Sequence, residues 1–204
     1  MITNEDNMKL MGRYEDNHFD LAIVDPPYGI GASEMTMGSG RNKKYTKGKK
    51  WDNETPNKEY FNELVRVSKN QIIWGGNYFD LPLTKSWIFW DKGIYGDCDF
   101  ADGELAWTSF KKVLRVAQIR YKGSLGADLQ RIHPTQKPVK LYKWLLKNYA
   151  NEGDKILDTH LGSGSIAIAC HDLGFELTAC ELDTDYYNAA IKRIEDHKKQ
   201  LQLF

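Results

Sequence analysis

The stretch that decides the fold is Phe19-Asp20-Leu21-Ala22-Ile23-Val24-Asp25-Pro26-Pro27-Tyr28. It begins with an apolar run that has the length of a buried strand, and the two prolines after it cannot continue a hydrogen-bonded ladder. The sequence therefore predicts a strand that ends in a stiff turn, with Asp25 and Tyr28 held close together. Ligands of open α/β sheets bind at this edge of the sheet, so the turn is a candidate active site. A proline-kinked surface loop is the alternative.

Strand-like and helix-like stretches alternate along the rest of the chain. This alternation predicts an α/β fold with a single doubly wound, mostly parallel sheet. The chain has 204 residues, which is enough for one domain with its own core, and no internal repeat is visible. Strands are predicted at 19–24, 71–74, 87–90, 104–110, 113–121, 155–157 and 176–180, and helices at 57–68, 138–149, 165–173 and 183–200.

Composition narrows the class of protein. Apolar residues make up 41% of the chain, as in an ordinary globular protein, and no apolar stretch is long enough to span a bilayer. The N-terminus has neither the basic region nor the apolar core of a signal peptide. The three cysteines, Cys98, Cys170 and Cys180, lack metal-ligand spacing. We therefore expect reduced thiols, no metal site and a cytoplasmic protein without a membrane partner.

The basic residues are clustered although the net charge is zero. The segments 41–50 and 111–122 contain lysine and arginine but no acidic residue, which predicts a local phosphate-binding face. Two solvated loops are the alternative. The first segment lies within 31–57, a basic loop too long for a plain connection, which we expect to be functional or mobile. The candidate phosphate contacts are Arg41, Lys43, Lys44, Lys47, Lys111, Lys112, Arg115, Arg120 and Lys122.

A second motif runs from Lys155 to Gly164 and combines a short strand, the acidic Asp158 and a glycine-rich turn that opens a helix. Glycines there would let the backbone approach a ligand closely, and Glu181 after the next strand is spaced to bind ribose hydroxyls. The spacing also fits a dinucleotide site, so an NAD-dependent oxidoreductase is a rival, as is a plain tight turn. Asp158 would repel a pyrophosphate, which favours a cationic ligand such as S-adenosylmethionine.

The third motif is His133-Pro134-Thr135-Gln136-Lys137-Pro138, directly before a predicted helix. The flanking prolines hold Lys137 in a defined extended turn. A cation at a helix start is unfavourable unless an anion lies nearby, and the carboxylate of a bound amino-acid moiety would supply one. An ordinary proline-framed helix start is the alternative. We assign His133 a structural or hydrogen-bonding role, because no partner stands at metal-ligand spacing.

In their order along the chain, the three motifs resemble those of the β-type, circularly permuted DNA amino methyltransferases of bacteria and their phages. The resemblance covers nearly the whole chain and implies a Rossmann-like fold that binds S-adenosylmethionine and releases S-adenosylhomocysteine. It implies catalytic roles for Asp25, Pro26, Pro27 and Tyr28. It implies cofactor contacts from Asp6, Asp25, Lys137, Asp158, Thr159, His160, Leu161, Gly162, Ser163, Gly164, Ser165, Glu181 and Leu182.

The implied reaction is methylation of the exocyclic amine of adenine, flipped out of double-stranded DNA. Asp25 and the backbone carbonyl of Pro26 would accept hydrogen bonds from the two N–H groups of the amine, so that the lone pair of the nitrogen can attack the methyl group. Tyr28 would stack on the base. Cytosine amines and RNA are the alternative targets. No cysteine lies in the motif, which argues against methylation of a ring carbon, and the joint presence of the motif residues argues against an inactive binding module.

The sequence also departs from the family pattern. Thr159 and His160 stand where the family usually has proline and phenylalanine, so we expect a changed cofactor wall. The segment 111–132, where such enzymes usually recognise their target, is short, which argues against a long recognition sequence. The last residues, Gln200–Phe204, resemble the peptide that docks into the bacterial sliding clamp, with a final helical turn as the alternative. We expect a monomer or a homodimer.

Overall fold

The structure is a computed structural model that describes residues 1–31, 52–94, 101–120 and 132–200. The strands are β1 (Ile2–Asn4), β2 (Phe19–Val24), β3 (Ser68–Trp74), β4 (Trp87–Asp91), β5 (Gly103–Thr108), β6 (Arg115–Gln118), β7 (Lys155–Asp158) and β8 (Glu176–Glu181). The helices are α1 (Asn7–Met11), α2 (Lys58–Val67), α3 (Val139–Tyr149), α4 (Ser165–Leu173) and α5 (Thr184–Lys199), and a 3₁₀ turn covers Gly76–Tyr78.

The described strands form one sheet of eight, in the order β1-β8-β7-β2-β3-β5-β4-β6. Five of the seven neighbouring pairs are parallel, and β5 runs antiparallel to both of its neighbours. The prediction of a single, mostly parallel α/β sheet is confirmed. The local sequence signals did not indicate the antiparallel insertion, because each strand of it shows the same apolar character as a parallel one.

Strand β2 lies at the centre of the sheet because both of its faces are apolar. Leu21 and Ile23 pack in the core layer with α3, α4 and α5, whereas Phe19, Ala22 and Val24 pack in the layer with α1 and α2. From Leu21 to Val24 the side chains alternate between the two layers, as the period of a strand requires. Each layer excludes water, so the strand end and the turn after it are held in place from both sides.

The element boundaries show where local signals were incomplete. β1 and α1 were not predicted, and Asp6 is the N-cap of α1, where its side chain accepts hydrogen bonds from the backbone of Met8 and Lys9. The predicted strands at 104–110 and 113–121 were too long, since β5 ends at Thr108 and β6 covers only Arg115–Gln118. Pro138 precedes the first residue of α3 in extended backbone instead of beginning the helix.

Two further predictions concern the surface. None of the helices in the described ranges is long and apolar enough to cross a membrane. Gln200 is the C-cap of α5, but residues 201–204 lie outside the described residues, so clamp binding by Gln200–Phe204 stays a prediction. Helix α5 itself ends with the basic side chains His197, Lys198 and Lys199, which suit the negative end of a helix dipole.

Candidate active site

The site lies where four parallel strands end. Asp25 follows β2, Gly75 follows β3, and Asp158 and Glu181 are the last residues of β7 and β8. Since these four strands are neighbours that run in the same direction, their carboxyl ends meet at one edge of the sheet. The first two sequence motifs are thereby brought together although more than a hundred residues separate them.

Asp25 is held by two hydrogen bonds. Its Oδ1 accepts a bond of 2.7 Å from the Tyr28 hydroxyl, and its Oδ2 lies 2.6 Å from Lys137 Nζ. Burial raises the pKa of Asp25, and the ammonium of Lys137 opposes that rise. The third motif therefore reaches the first one directly, because Lys137 stands at the start of α3 and points at the turn after β2.

Lys137 has two anionic partners within the protein. Besides Asp25, the carboxylate of Glu104 on β5 lies 2.9 Å from Lys137 Nζ, and Lys92 lies 2.7 Å from the other oxygen of Glu104. Burial acts to raise the pKa of Glu104, but the two ammonium groups outweigh it and lower that pKa to about 2. The protein itself therefore supplies anions for the cation at the start of α3, and contact of Lys137 with a cofactor carboxylate stays a prediction.

The turn after β2 is fixed by Asp52. This buried carboxylate accepts hydrogen bonds of 2.6 Å from the backbone N–H of Tyr28 and 3.1 Å from that of Gly29. The ring of Tyr28 stacks on Tyr78, with the centroids 5.1 Å apart and the planes at 14°. One face of the Tyr28 ring is thus covered by Tyr78 in this structure, and a ligand ring could stack on that face only if the two tyrosine rings separate.

A cavity of about 670 Å³ opens beside Asp25. A volume of this size suits a nucleoside-sized ligand. The predicted residues Pro26, Tyr28, Asp158, Gly164 and Ser165 are not part of its lining. Its lining includes the predicted residues Asp6, Asp25, Pro27, Lys137, Thr159, His160, Leu161, Gly162, Ser163, Glu181 and Leu182, together with residues that sequence reasoning did not assign to the site, among them Asn7, Asn57, Tyr60, Gln136 and Tyr142.

The glycine-rich turn is tied to Glu181. Gly162 N–H donates a hydrogen bond of 2.8 Å to Glu181 Oε2, and Asp183 N–H donates one of 2.9 Å to Oε1. Burial raises the pKa of Glu181. A carboxylate has about four acceptor positions, and the backbone N–H of Leu182 also interacts with this one, so it keeps some capacity to accept from a hydroxyl group of a ligand.

Gly164 is not among the residues that line the cavity, and its predicted contact with the cofactor stays a prediction. It has a φ of +72°, and a Cβ added there would lie 3.0 Å from Ile194 Cδ1 on α5. The glycine is therefore required for close helix packing. Ser165 is likewise buried, and its Oγ lies 3.0 Å from Ser163 Oγ and 3.1 Å from Arg193 Nη1. Arg193, which sequence reasoning missed, also donates a bond of 2.6 Å to the carbonyl of Ser163.

The unusual wall at Thr159 and His160 is a hydrogen-bonded chain. Asn7 Nδ2 lies 3.2 Å from His160 Nε2, His160 Nδ1 lies 2.9 Å from Thr159 Oγ1, and Thr159 Oγ1 lies 2.7 Å from the Tyr60 hydroxyl. Burial lowers the pKa of His160 to about 4, so its ring is neutral near pH 7. The neutral ring can accept from Asn7 and donate to Thr159, which makes this a polar wall without net charge.

Burial also favours the neutral form of Asp158 near pH 7. It is 2% exposed, and burial raises its pKa from 3.8 to about 8, although the backbone N–H of His160 donates a bond of 2.9 Å to its Oδ1. Burial next to Asp25 and Glu181 therefore opposes the negative charge on which the preference for a cationic ligand over a pyrophosphate was argued.

This shift predicts how stability depends on pH. The folded pKa of Asp158 lies above its unfolded value, so its contribution is fully present below about pH 4 and is lost as pH rises through 8. Asparagine mimics the neutral acid. Between pH 5 and pH 8.5 the free energy of unfolding of the wild type should fall by about 2–4 kcal/mol relative to Asp158→Asn. Urea unfolding of both proteins at the two pH values measures this, and a constant difference would contradict it.

The remaining predicted residues lie elsewhere or outside the described ranges. Lys111, Lys112, Arg115 and Arg120 are exposed on or beside the edge strand β6, and Lys112 donates a bond of 2.9 Å to the carbonyl of Asn148. Arg41, Lys43, Lys44, Lys47 and Lys122 lie outside the described residues, as does Cys98.

The two described cysteines are buried thiols. Burial raises the pKa of Cys170 to about 12 and raises that of Cys180 as well, so both thiols are protonated at neutral pH. Within residues 1–31, 52–94, 101–120 and 132–200, no group of three or more histidine, cysteine, aspartate or glutamate side chains could hold a metal ion.

Comparison with known proteins identifies the family. The model of the N6/N4 methyltransferase family, whose description is DNA methylase, matches residues 45–192, which is well over half of the chain. The chain therefore belongs to this family of amino DNA methylases. Membership decides against the oxidoreductase alternative. It leaves open whether the target amine is on adenine or on cytosine, because the family includes both kinds.

Individual relatives agree with this assignment. The type II methyltransferase M.HpaI of Haemophilus parainfluenzae is 27% identical, over 92% of this chain and 72% of its own length. The fold is similar to that of the M1.HpyAVI–SAM complex, with a TM-score of 0.60 and 20% identity over 95% of this chain and 98% of the other. The cytosine-N4-specific PvuII DNA methyltransferase gives a TM-score of 0.60 and 14% identity, over 96% and 90%.

Proposed function

We propose that this protein transfers a methyl group from S-adenosylmethionine to the exocyclic N6 amine of adenine in double-stranded DNA. The observation that carries the proposal is the position of Asp25. Its carboxylate lines the nucleoside-sized cavity and lies at the junction of the three sequence motifs. An acceptor placed between a cofactor site and an opening for the base is what amine methylation requires.

The residues of the cavity fit S-adenosylmethionine. Glu181 has acceptor positions left for ribose hydroxyls after its bonds to Gly162 and Asp183. Asp6 and Asn7, at the start of α1, line the same cavity and would contact the adenine moiety of the cofactor. When it is bound, the cofactor supplies an electrophilic methyl group. The sulfonium charge is compatible with Asp158, because a cation nearby favours ionisation of a carboxyl that is otherwise neutral.

The protein would activate the target amine by accepting its hydrogens. The amine of adenine is a poor nucleophile because its lone pair is delocalised into the ring. Asp25 and the carbonyl of Pro26 would each accept a hydrogen bond from one N–H group of the amine. These two bonds draw the nitrogen toward tetrahedral geometry and stabilise the positive charge that develops on it. For this, the Tyr28 hydroxyl must share or leave Oδ1 of Asp25, to which it is bonded at 2.7 Å. The same movement would free the ring of Tyr28 to stack on the flipped base.

We propose adenine rather than cytosine as the target because of the residue at the first position of the motif, Asp25. Among the amino methyltransferases that this sequence resembles, aspartate at position 25 is typical of adenine enzymes and serine of cytosine enzymes. Exposed basic side chains beside β6, Lys111 and Arg115 among them, would contact DNA phosphates.

The direct test is transfer of labelled methyl groups to unmethylated duplex DNA, followed by digestion to nucleosides. We expect N6-methyladenine as the labelled product. Labelled N4-methylcytosine would replace the adenine proposal with its closest alternative. In a parallel assay that offers RNA, label in RNA but not in DNA would replace DNA as the substrate. Isothermal titration calorimetry with S-adenosylmethionine completes the test, since a protein that does not bind the cofactor cannot carry out the proposed reaction.

A further inference from the structure

Four charged side chains, two buried and two partly buried, form a line that ends at Asp25. Lys92 contacts Glu104 at 2.7 Å, Glu104 contacts Lys137 at 2.9 Å, and Lys137 contacts Asp25 at 2.6 Å. Their side chains are 9%, 23%, 2% and 17% exposed, in that order along the line. The charges alternate in sign, so each inner member has an opposite charge on both sides. The four residues are here called the charge line.

The fold places these residues independently of the catalytic turn. Glu104 lies on β5 opposite Trp90 of β4, and the backbone N–H of Lys92 donates a bond of 2.9 Å to the carbonyl of Asp102. The antiparallel pairing of β4 and β5 thus sets Lys92 and Glu104 side by side. Lys137 reaches them from the start of α3. Only Asp25 of the charge line belongs to the turn after β2.

A single Lys137–Asp25 pair would serve the proposed reaction poorly. An ammonium that is committed wholly to one carboxylate competes with the N–H groups of a substrate for its oxygens. The carboxylate of Glu104 takes part of that interaction, because the same Nζ is bonded to both acids. Lys92 in turn neutralises Glu104, which would otherwise be a second uncompensated carboxylate beside Asp25.

We infer that Glu104 is a positioning residue: it holds Lys137 between two carboxylates and thereby keeps Asp25 available as an acceptor for the target amine. Lys92 is the residue that fixes Glu104. The inference rests on the proposed function, because it assigns these two residues a purpose in amine activation. Neither residue was assigned a role from the sequence, and neither lines the cavity.

Removal of the charge of Glu104 or of Lys92 should shift the titration of Asp25 in a defined direction. Among the described residues, the groups that act on Asp25 are Lys137 and Glu104 in the charge line, with Tyr28 in its own turn. Asp158 on β7, Tyr60 on α2 and Tyr142 on α3 interact with it electrostatically. Loss of the negative charge of Glu104 should lower the pKa of Asp25. Loss of the positive charge of Lys92 should strengthen the interaction of Glu104 with Lys137 and so raise the pKa of Asp25.

The experiment compares Glu104→Gln with the wild type over pH 5 to 9, using a duplex substrate and S-adenosylmethionine. We expect kcat to fall at least tenfold at neutral pH, KM for S-adenosylmethionine to change less than twofold, and the acidic limb of the kcat profile to move to lower pH. Lys92→Met should move that limb to higher pH. The matched control is Asp172→Asn, which removes another carboxylate of low exposure, paired with Lys143 and His197 at the far end of α4.

A readout that does not depend on turnover separates this inference from the proposed function. In protein labelled with ¹³C at the aspartate carboxyl groups, the Asp25 signal is assigned by its absence in Asp25→Asn. Its titration should move to lower pH in Glu104→Gln and to higher pH in Lys92→Met. Unchanged titration in both variants would overturn the inference, whether or not the wild type methylates DNA. Equal losses of kcat in both variants without opposite shifts would also overturn it, because they indicate a structural role only.

Discussion

Replacement of Asp25 by asparagine should reduce methyl transfer by about 10²–10³-fold, the cost of removing one aimed group that stabilises developing charge. Asparagine has nearly the same shape, so the turn after β2 should keep its conformation. It lacks the negative charge, however, and its amide presents N–H groups where acceptors are needed. The second carboxylate at Lys137, from Glu104, limits the loss of stability. Cofactor affinity should therefore change little, and the loss should appear in kcat.

Single-turnover kinetics with labelled cofactor measure this effect directly. The matched control is Asp20→Asn, which changes the same residue type at the opposite end of the same strand, where Asp20 contacts Lys69 at 2.6 Å. We expect the control to retain the wild-type rate. If Asp25→Asn keeps more than a tenth of the wild-type rate while the protein stays folded, Asp25 is not the acceptor of the amine hydrogens.

Gly75→Ala should have the second-largest effect. A Cβ at this position would lie 2.2 Å from Cε1 of the Tyr28 ring, which leaves no room without movement of the ring or of the backbone. The ring of Tyr28 is bonded to Asp25 and stacked on Tyr78, so its displacement disturbs the acceptor as well. A misplacement of about 1 Å costs roughly 10²-fold in rate, and we expect a loss of that size in kcat.

A second glycine with a similar φ serves as the control that separates the effect of backbone strain from the effect of the clash with Tyr28. Gly75 has a φ of +66°, and Gly174 at the end of α4 has a φ of +76° with no atom within 4 Å of an added Cβ. Both alanine variants should lose about 1–2 kcal/mol of stability through the left-handed backbone. Only Gly75→Ala should lose about 1–3 kcal/mol more from overpacking, together with activity. Chemical denaturation and the methyl-transfer assay check both statements, and equal activity in the two variants would refute the steric argument.

Much of the fold could be predicted because its signals are local. Helix α2 was predicted at 57–68 and covers Lys58–Val67, with Asn57 as its cap. The apolar run before Asp25 is β2, and the glycine-rich turn opens α4 as expected. Each of these elements is specified by a periodic pattern, a capping residue or a proline within a few positions. The short β1 and α1 offer too few residues for a periodic pattern, and so they were missed.

The candidate site could be predicted only where a motif is continuous in sequence. Eleven of the predicted cofactor contacts and catalytic residues line one cavity, because strand ends of a parallel sheet converge. Asp52, Glu104 and Arg193 were missed, since each acts on a motif residue from a distant part of the chain. The segment 99–107 around Glu104 resembles a family segment near the target-base pocket, but the sequence does not indicate which motif residue each of these three side chains meets.

By itself, the sequence determined the class of the fold, the turn after β2 and the order of three motifs, because strand length, proline geometry and glycine turns are properties of adjacent residues. The tertiary structure alone decided which charges meet and what state they hold. Burial neutralises Asp158 near pH 7, and the pairing of β4 with β5 delivers Glu104 to Lys137. Protonation and ion pairing depend on the groups that surround a side chain in space, and only the folded chain defines those surroundings.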